Sequence, residues 1–228
     1  MEVEFAPSND DEILRFMVDS ISFIIRNSSW EFNANHEQVV EFLCTQNGIT
    51  KEEPDYEFKK RVMCLYSILK LRAGKTNVIT LIGRPNCGKS LMTNMLVANL
   101  NSGAAHSMNS RSNFWLQDLI DKDIYIFEEF TVDVFNSEYF KALLEGSCHV
   151  MVEKKNQHAV HLQRRPIVTT GNTVPWQMVS SMAPAYKARA IIITCNSELP
   201  FTINADPNRR RDLLTICNNQ LFSVLNKY

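Results

Sequence analysis

At 228 residues, with 45% hydrophobic and 21% charged side chains, the chain has the make-up of a soluble globular protein with room for one large domain, or a small one beside a medium one. No uninterrupted apolar run approaches the roughly 20 residues of a membrane span, and the first residues lack the basic start and apolar stretch of a signal peptide. The net charge of −1 hides an asymmetry: residues 1–72 hold 8 Lys+Arg against 13 Asp+Glu, whereas residues 73–228 hold 16 against 12. An acidic front and a mildly basic body fit a body that meets a polyanion.

The first 72 residues read as three helices. Asp10 to Arg26 places Ile13, Phe16, Met17, Ser20, Ile21, Ile24 and Ile25 along one stripe. Asn35 with Gln38 makes a capping-box-like start for a second helix carrying Val39, Val40, Phe42 and Leu43, and Gly48 suits its stop. Pro54 opens a third stretch through Leu71, with Phe58, Val62, Leu65, Tyr66, Ile68 and Leu69. These helices either make a small bundle or form the near side of a larger core, with Ala73-Gly74-Lys75 as the joint.

From Thr76 the pattern changes to strands alternating with helices, which predicts a three-layer α/β domain with a mostly parallel central sheet. Expected strands are 78–82, 105–108, 123–127, 149–153, 159–163, 166–170 and 189–194. Expected helices are 89–100, 114–119, 137–145 and 208–226. The organisation is then 1–72 helical subdomain, 73–205 catalytic core and 206–228 a C-terminal helix. That helix should dock through Leu213, Leu214, Ile216, Cys217, Leu221, Phe222 and Leu225; Arg209, Arg210 and Arg211 at its start fit contact with DNA or a neighbour about as well as a solvated face.

The six cysteines (Cys44, Cys64, Cys87, Cys148, Cys195 and Cys217) contain no C-x-x-C pair, which argues against a zinc site or a disulfide framework and for a reducing compartment. His158 and His161 fall on opposite faces of a strand-like segment, a poor arrangement for a metal.

One stretch carries specific chemistry. Gly83-Arg84-Pro85-Asn86-Cys87-Gly88-Lys89-Ser90 is a complete G-x-x-x-x-G-K-[ST] loop, placed between the apolar run Val78–Ile82 and a helical pattern. Such a loop turns backbone N–H groups and a helix N-terminus toward phosphates. Lys89 would reach the β- and γ-phosphates, and the Ser90 hydroxyl would ligate Mg²⁺. ATP with Mg²⁺ is the expected ligand; no N-K-x-D base-reading motif supports GTP.

Downstream, Ile124–Phe127 ends in Glu128-Glu129, acidic residues at the C-terminal edge of a buried strand, where open α/β sheets bind ligands. Glu128 is assigned to the metal and Glu129 to the base that polarises the attacking water. Residues 148–162 read as a β-hairpin presenting Lys154 and Lys155, suited to phosphate contact without sequence readout. Pro166–Asn172 is a second buried strand closing on an amide that can hold water in line, and Arg189 precedes the strand Ala190–Thr194, where an arginine could neutralise transition-state charge on a neighbour's nucleotide.

In this order the motifs resemble the superfamily 3 helicases, the AAA+ replicative motors of small DNA viruses. Asn109–Asp121 and the hairpin with Val152-Glu153-Lys154-Lys155 are similar to the papillomavirus replicative helicase, while Glu128-Glu129 resembles the parvovirus large non-structural proteins. The resemblance covers about residues 76–200. It implies an ATP-dependent, 3′-to-5′ DNA helicase acting as a hexameric ring in the host nucleus, with nucleotide at subunit interfaces. Lys155 would be the channel lysine on single-stranded DNA, Asn172 the sensor and Arg189 the arginine finger, with the N-terminal helices as an oligomerisation collar. Two departures stand out: Asn156 replaces a histidine after the hairpin lysine, and Gly171 precedes the sensor asparagine, an arrangement expected to loosen that strand end. With no nicking motif, the chain reads as a motor domain alone. An AAA+ assembly or packaging switch without unwinding is the alternative.

Overall fold

The computed structural model describes residues 10–106, 114–146, 150–153, 155, 158–199 and 207–223. In chain order the elements are α1 (Asp10–Asn27), β1 (Ser29–Glu31), α2 (Ala34–Gln46), α3 (Tyr56–Leu69), β2 (Val78–Gly83), α4 (Lys89–Val97), β3 (Ser102–His106), β4 (Ile124–Glu128), α5 (Ser137–Glu145), β5 (Met151–Val152), β6 (Val160–His161), β7 (Ile167–Gly171), α6 (Ala183–Lys187), β8 (Ala190–Cys195) and α7 (Pro207–Phe222).

Six strands form one sheet in the order β1-β8-β2-β7-β4-β3, all parallel except β1, which runs antiparallel to β8. The phosphate-loop strand β2 is therefore central, and β7 separates it from β4 with its acidic end. Period-2 alternation sends successive residues to opposite faces. Ile79 and Leu81 of β2, Val168 of β7 and Ile191 and Ile193 of β8 join one core; Val78, Ile82, Ile167 and Ile192 join the other. The first core is completed by the α1 stripe (Ile13, Met17, Ile21, Ile24 and Ile25), by α3 and α4, and by Leu213, Leu214 and Cys217 of α7. The second is rich in aromatics: Trp115, Phe127, Phe130 and Phe140 meet edge-on or tilted, with Phe130 and Phe140 centroids 4.7 Å apart. Helices on both faces of a mostly parallel sheet make the three-layer α/β fold that the strand–helix alternation indicated.

Several local expectations are corrected. The second helix is capped by Asn33, whose side chain accepts from His36 N at 2.9 Å, so Asn35 lies inside the helix. Gly48 does take the left-handed turn past its end, at φ +67°. Phe42 is 61% exposed and Ile216 42%, because each falls on the outer side of its helix. Residues 114–119 hold only a 3₁₀ turn at Gln117–Leu119: Trp115 is drawn into the aromatic core. That turn lies against β3, where a Cβ on Gly103 would come within 2.3 Å of the Asp118 carbonyl oxygen. This close approach requires glycine at 103; the strand, Ser102–His106, starts earlier than the expected 105–108. The strand β1 gave no usable signal, being three residues long; its pairing covers the free edge of β8. Leu225 lies outside the described residues.

A buried polar cluster joins α2 to α3. Ser67 Oγ donates to the Cys64 carbonyl (2.7 Å), leaving a lone pair for His36 Nε2 at 3.0 Å, so a neutral Nε2–H tautomer fits. Burial lowers the His36 pKa from 6.5 to about 4. A base held neutral in the fold contributes stability that is complete above the unfolded pKa and lost as pH falls through 6.5 toward 4. Stability should therefore drop by about 2 kcal/mol between pH 7 and pH 5 from this residue. Urea midpoints at the two pH values, compared with His36→Gln, check it: the variant should show a shallower pH dependence.

Candidate nucleotide site

The loop between β2 and α4 takes the conformation its glycines permit. Gly88 has φ +87° and Asn86 φ +63°, both left-handed. A Cβ on Gly88 would meet Ile24 Cδ1 at 2.5 Å, and one on Gly83 would meet the Cys195 carbonyl oxygen at 2.6 Å. The loop is thus clamped between α1 and the end of β8. Asn86 O also accepts from Leu199 N at 3.0 Å, and Cys87 is buried beneath the loop. Neither Ile24 nor Leu199 has a local sequence signal for this role, since their partners lie far away in the chain.

Lys89 opens α4 and turns its ammonium back over the loop, donating to Gly83 O (2.8 Å), Arg84 O (2.9 Å) and Asn172 Oδ1 (3.3 Å). Asn172 in turn donates from Nδ2 to Glu129 Oε2 at 3.4 Å. Three segments that are distant in sequence therefore meet as a line, Lys89–Asn172–Glu129, at the C-terminal edge of β2, β7 and β4. Parallel register makes this possible: strands entering from the same side release their loops on the same side. Glu129 has φ +46°, a conformation costly for a side chain with a Cβ, and Phe130 N donates to Thr170 O (2.8 Å) immediately after it. Glu128 closes β4 with an exposed side chain, and Ser90 is exposed in the first turn of α4. Gly171 is buried, and a Cβ there would lie 3.3 Å from the Thr173 carbonyl oxygen.

The donor set fits a Mg²⁺-bound triphosphate: a glycine-cradled loop, a flexible cation, a hydroxyl and two exposed carboxylates converge on one sheet edge.

Arg189 is not brought to this site. Its backbone carbonyl accepts from Asn77 N and Val78 N at the start of β2, the opposite edge of the sheet. The register from Val78↔Ala190 to Gly83↔Cys195 puts a strand length, roughly 17 Å, between it and the phosphate loop. Its guanidinium is paired with Glu145 Oε2 (2.7 Å) and donates to Ala185 O (2.7 Å). The helix turn before it is fixed from inside: Tyr186 OH meets Thr80 Oγ1 (2.9 Å) and Thr169 Oγ1 (3.1 Å), tying α6 to β2 and β7.

The hairpin forms as expected but shorter, with Met151↔His161 and Val152↔Val160 paired antiparallel and Leu162 N donating to Val150 O (2.8 Å). Lys155 is exposed at its tip; Lys154 and Asn156 lie outside the described residues. Tyr125 OH donates to Gln163 O (2.8 Å), which places the hairpin base at the edge of the sheet opposite the nucleotide loop.

With this geometry in view, the family model for the papillomavirus helicase matches residues 14–218. The chain belongs to the papillomavirus helicase family. Replication protein E1 of human papillomavirus type 16 is 32% identical over 135 residues, covering 58% of this chain and 20% of that protein. Replication protein E1 of human papillomavirus 59 is 29% identical over 135 residues, with the same shares covered. The chain thus spans about a fifth of the length of these relatives. Among solved structures, the C-terminal region of NrS-1 aligns over 98% of this chain and 46% of that one, with TM-score 0.52 and 14% identity, a likeness of fold. The match begins in α1, so the N-terminal helices belong to the family pattern as well.

Proposed function

We propose that this chain is the ATP-driven motor of a viral replicative DNA helicase, hydrolysing ATP between adjoining subunits of a hexameric ring and moving 3′ to 5′ along single-stranded DNA in the host nucleus. The observation that carries the reading is the split of the chemistry between two sheet edges. Lys89, Asn172 and Glu129 stand together at one edge, and Arg189 stands with the hairpin base at the other. An arginine so placed cannot reach the phosphates of its own subunit, yet it can serve the next subunit of a ring.

Lys89 is positioned to neutralise the β- and γ-phosphates, and its present carbonyl partners are ones that phosphate oxygens replace. Asn172 orients a water against Glu129, which accepts its proton. Mg²⁺, when bound through Ser90 and Glu128, would offset charge on the leaving diphosphate. Helices α1–α3 serve as the collar between subunits in this reading.

Mixing protomers tests it. Lys89→Ala supplies an intact Arg189, and Arg189→Ala supplies an intact phosphate loop. Turnover of the mixture well above the sum of the two alone supports catalysis across an interface; strict additivity removes it. For the hairpin, Lys155→Ala should lose stimulation of ATP turnover by oligothymidylate and lose unwinding, while nucleotide affinity stays near wild type. The stimulation should also fade with salt, since phosphate contacts release counterions. ATP turnover that ignores DNA at every salt concentration would instead favour the assembly switch.

A further inference from the structure

We infer that Glu145 holds Arg189 in a standby position and releases it to the neighbouring subunit's γ-phosphate, so that this carboxylate couples nucleotide engagement to the DNA hairpin. The inference rests on the reading of Arg189 as a residue acting in trans.

Arg189 is far from a free cation. Its side chain is 17% exposed, both terminal nitrogens are committed within the chain, and Nε is buried with no hydrogen-bond partner. To touch another subunit's phosphate it must leave Glu145. A phosphate competes well for this guanidinium, because it carries more charge than a carboxylate and accepts the same two-pronged fork.

Glu145 is built for release. It is the last residue of α5, where the helix dipole disfavours a carboxylate, so its cation partners offset an unfavourable place. Its pKa is lowered first by the Arg189 hydrogen bond. A second cation, Lys75 Nζ, stands 3.6 Å from Glu145 Oε1 and is largely exposed. When Arg189 leaves, Lys75 remains, and no unpaired carboxylate is stranded against the sheet edge.

The consequence reaches the hairpin through packing between the end of α5 and the segment that leaves the hairpin. Gly146 follows with φ +72°, a turn that ends α5, and Val150 begins the hairpin shortly afterwards in sequence. A Cβ on Gly146 would collide with the Arg164 side chain, which itself donates to Gly74 O beside Lys75. The end of α5, the segment between β6 and β7 and the segment holding Lys75 are thus packed at one corner. The ion pair between Glu145 and Arg189 links that corner to α6.

The test is Glu145→Gln, which keeps size and removes charge. ATP turnover without DNA should rise several-fold as Arg189 is released, and stimulation by oligothymidylate should fall toward unity. Glu145→Asp, which keeps the charge, should retain most of the wild-type stimulation. Wild-type turnover and stimulation in Glu145→Gln would overturn the coupling. So would a parallel fall with and without DNA in a variant of unchanged melting temperature, which would leave Glu145 a passive support. Arg189→Ala separates the two failures. If it keeps full turnover, the trans reading itself is lost and the release with it; if it is inactive while Glu145→Gln behaves as wild type, only the release is lost.

Discussion

Replacing Lys89 by alanine is expected to lower ATP turnover by about 10³-fold or more, with nucleotide binding weakened as well. The ammonium is the cation placed over the loop by its own backbone, between Gly83 O, Arg84 O and Asn172 Oδ1. A charge-assisted contact to a phosphoryl group contributes several kcal/mol to the transition state, and each ~1.4 kcal/mol is tenfold in rate. Stability should change little, because the Arg84 carbonyl released by the substitution lies on an exposed residue and can take water. Turnover assays alongside a melting curve check both halves. A variant that melts normally and still hydrolyses ATP at a tenth of the wild-type rate would contradict the assignment of Lys89.

Glu129→Gln should lose hydrolysis by about 10²- to 10⁴-fold while binding nucleotide with nearly wild-type affinity. The amide is isosteric and its oxygen can still accept from Asn172 Nδ2, so the line of contacts survives and only proton acceptance is lost. The backbone supports giving this role to Glu129. Its left-handed φ of +46° departs from β4 immediately beyond Glu128, and strain of this sort, about 1–2 kcal/mol, persists where the surroundings over-determine a position. Equilibrium binding of a fluorescent ATP analogue, read beside single-turnover hydrolysis, makes the measurement. Should Glu128→Gln show trapped nucleotide and Glu129→Gln show weakened Mg²⁺ dependence, the two roles are reversed.

The corrections to the sequence reading have a common cause. The phosphate loop, the Glu128-Glu129 strand end and the Thr169-Thr170-Gly171-Asn172 strand were legible because each is a short segment whose chemistry is written in consecutive residues. The hairpin was legible for the same reason, through alternation flanking a basic tip. Trp115 misled, because an apolar residue that fills an aromatic core from a turn has the same local pattern as one on a helix face. Asn33 was missed as the cap because Asn35 offered a similar signal two residues later. Strand β1 was invisible because three residues carry no periodicity, and its stability comes from the edge of β8.

By itself the sequence picked out the candidate groups: a G-x-x-x-x-G-K-S loop, paired carboxylates, an amide, a basic hairpin and an arginine, in an order that resembles the superfamily 3 helicases. Their type and local spacing suffice for that, since each motif is closed within one strand–loop transition. Only the tertiary structure decided their partnerships. Parallel register gathered Lys89, Asn172 and Glu129 at one edge of the sheet and carried Arg189 to the other. It also set Ile24 of the first helix against Gly88 and gave Arg189 its partner in Glu145. Those pairings join residues tens of positions apart, and no local propensity encodes them; they follow from strand order and from which face of the sheet each helix covers.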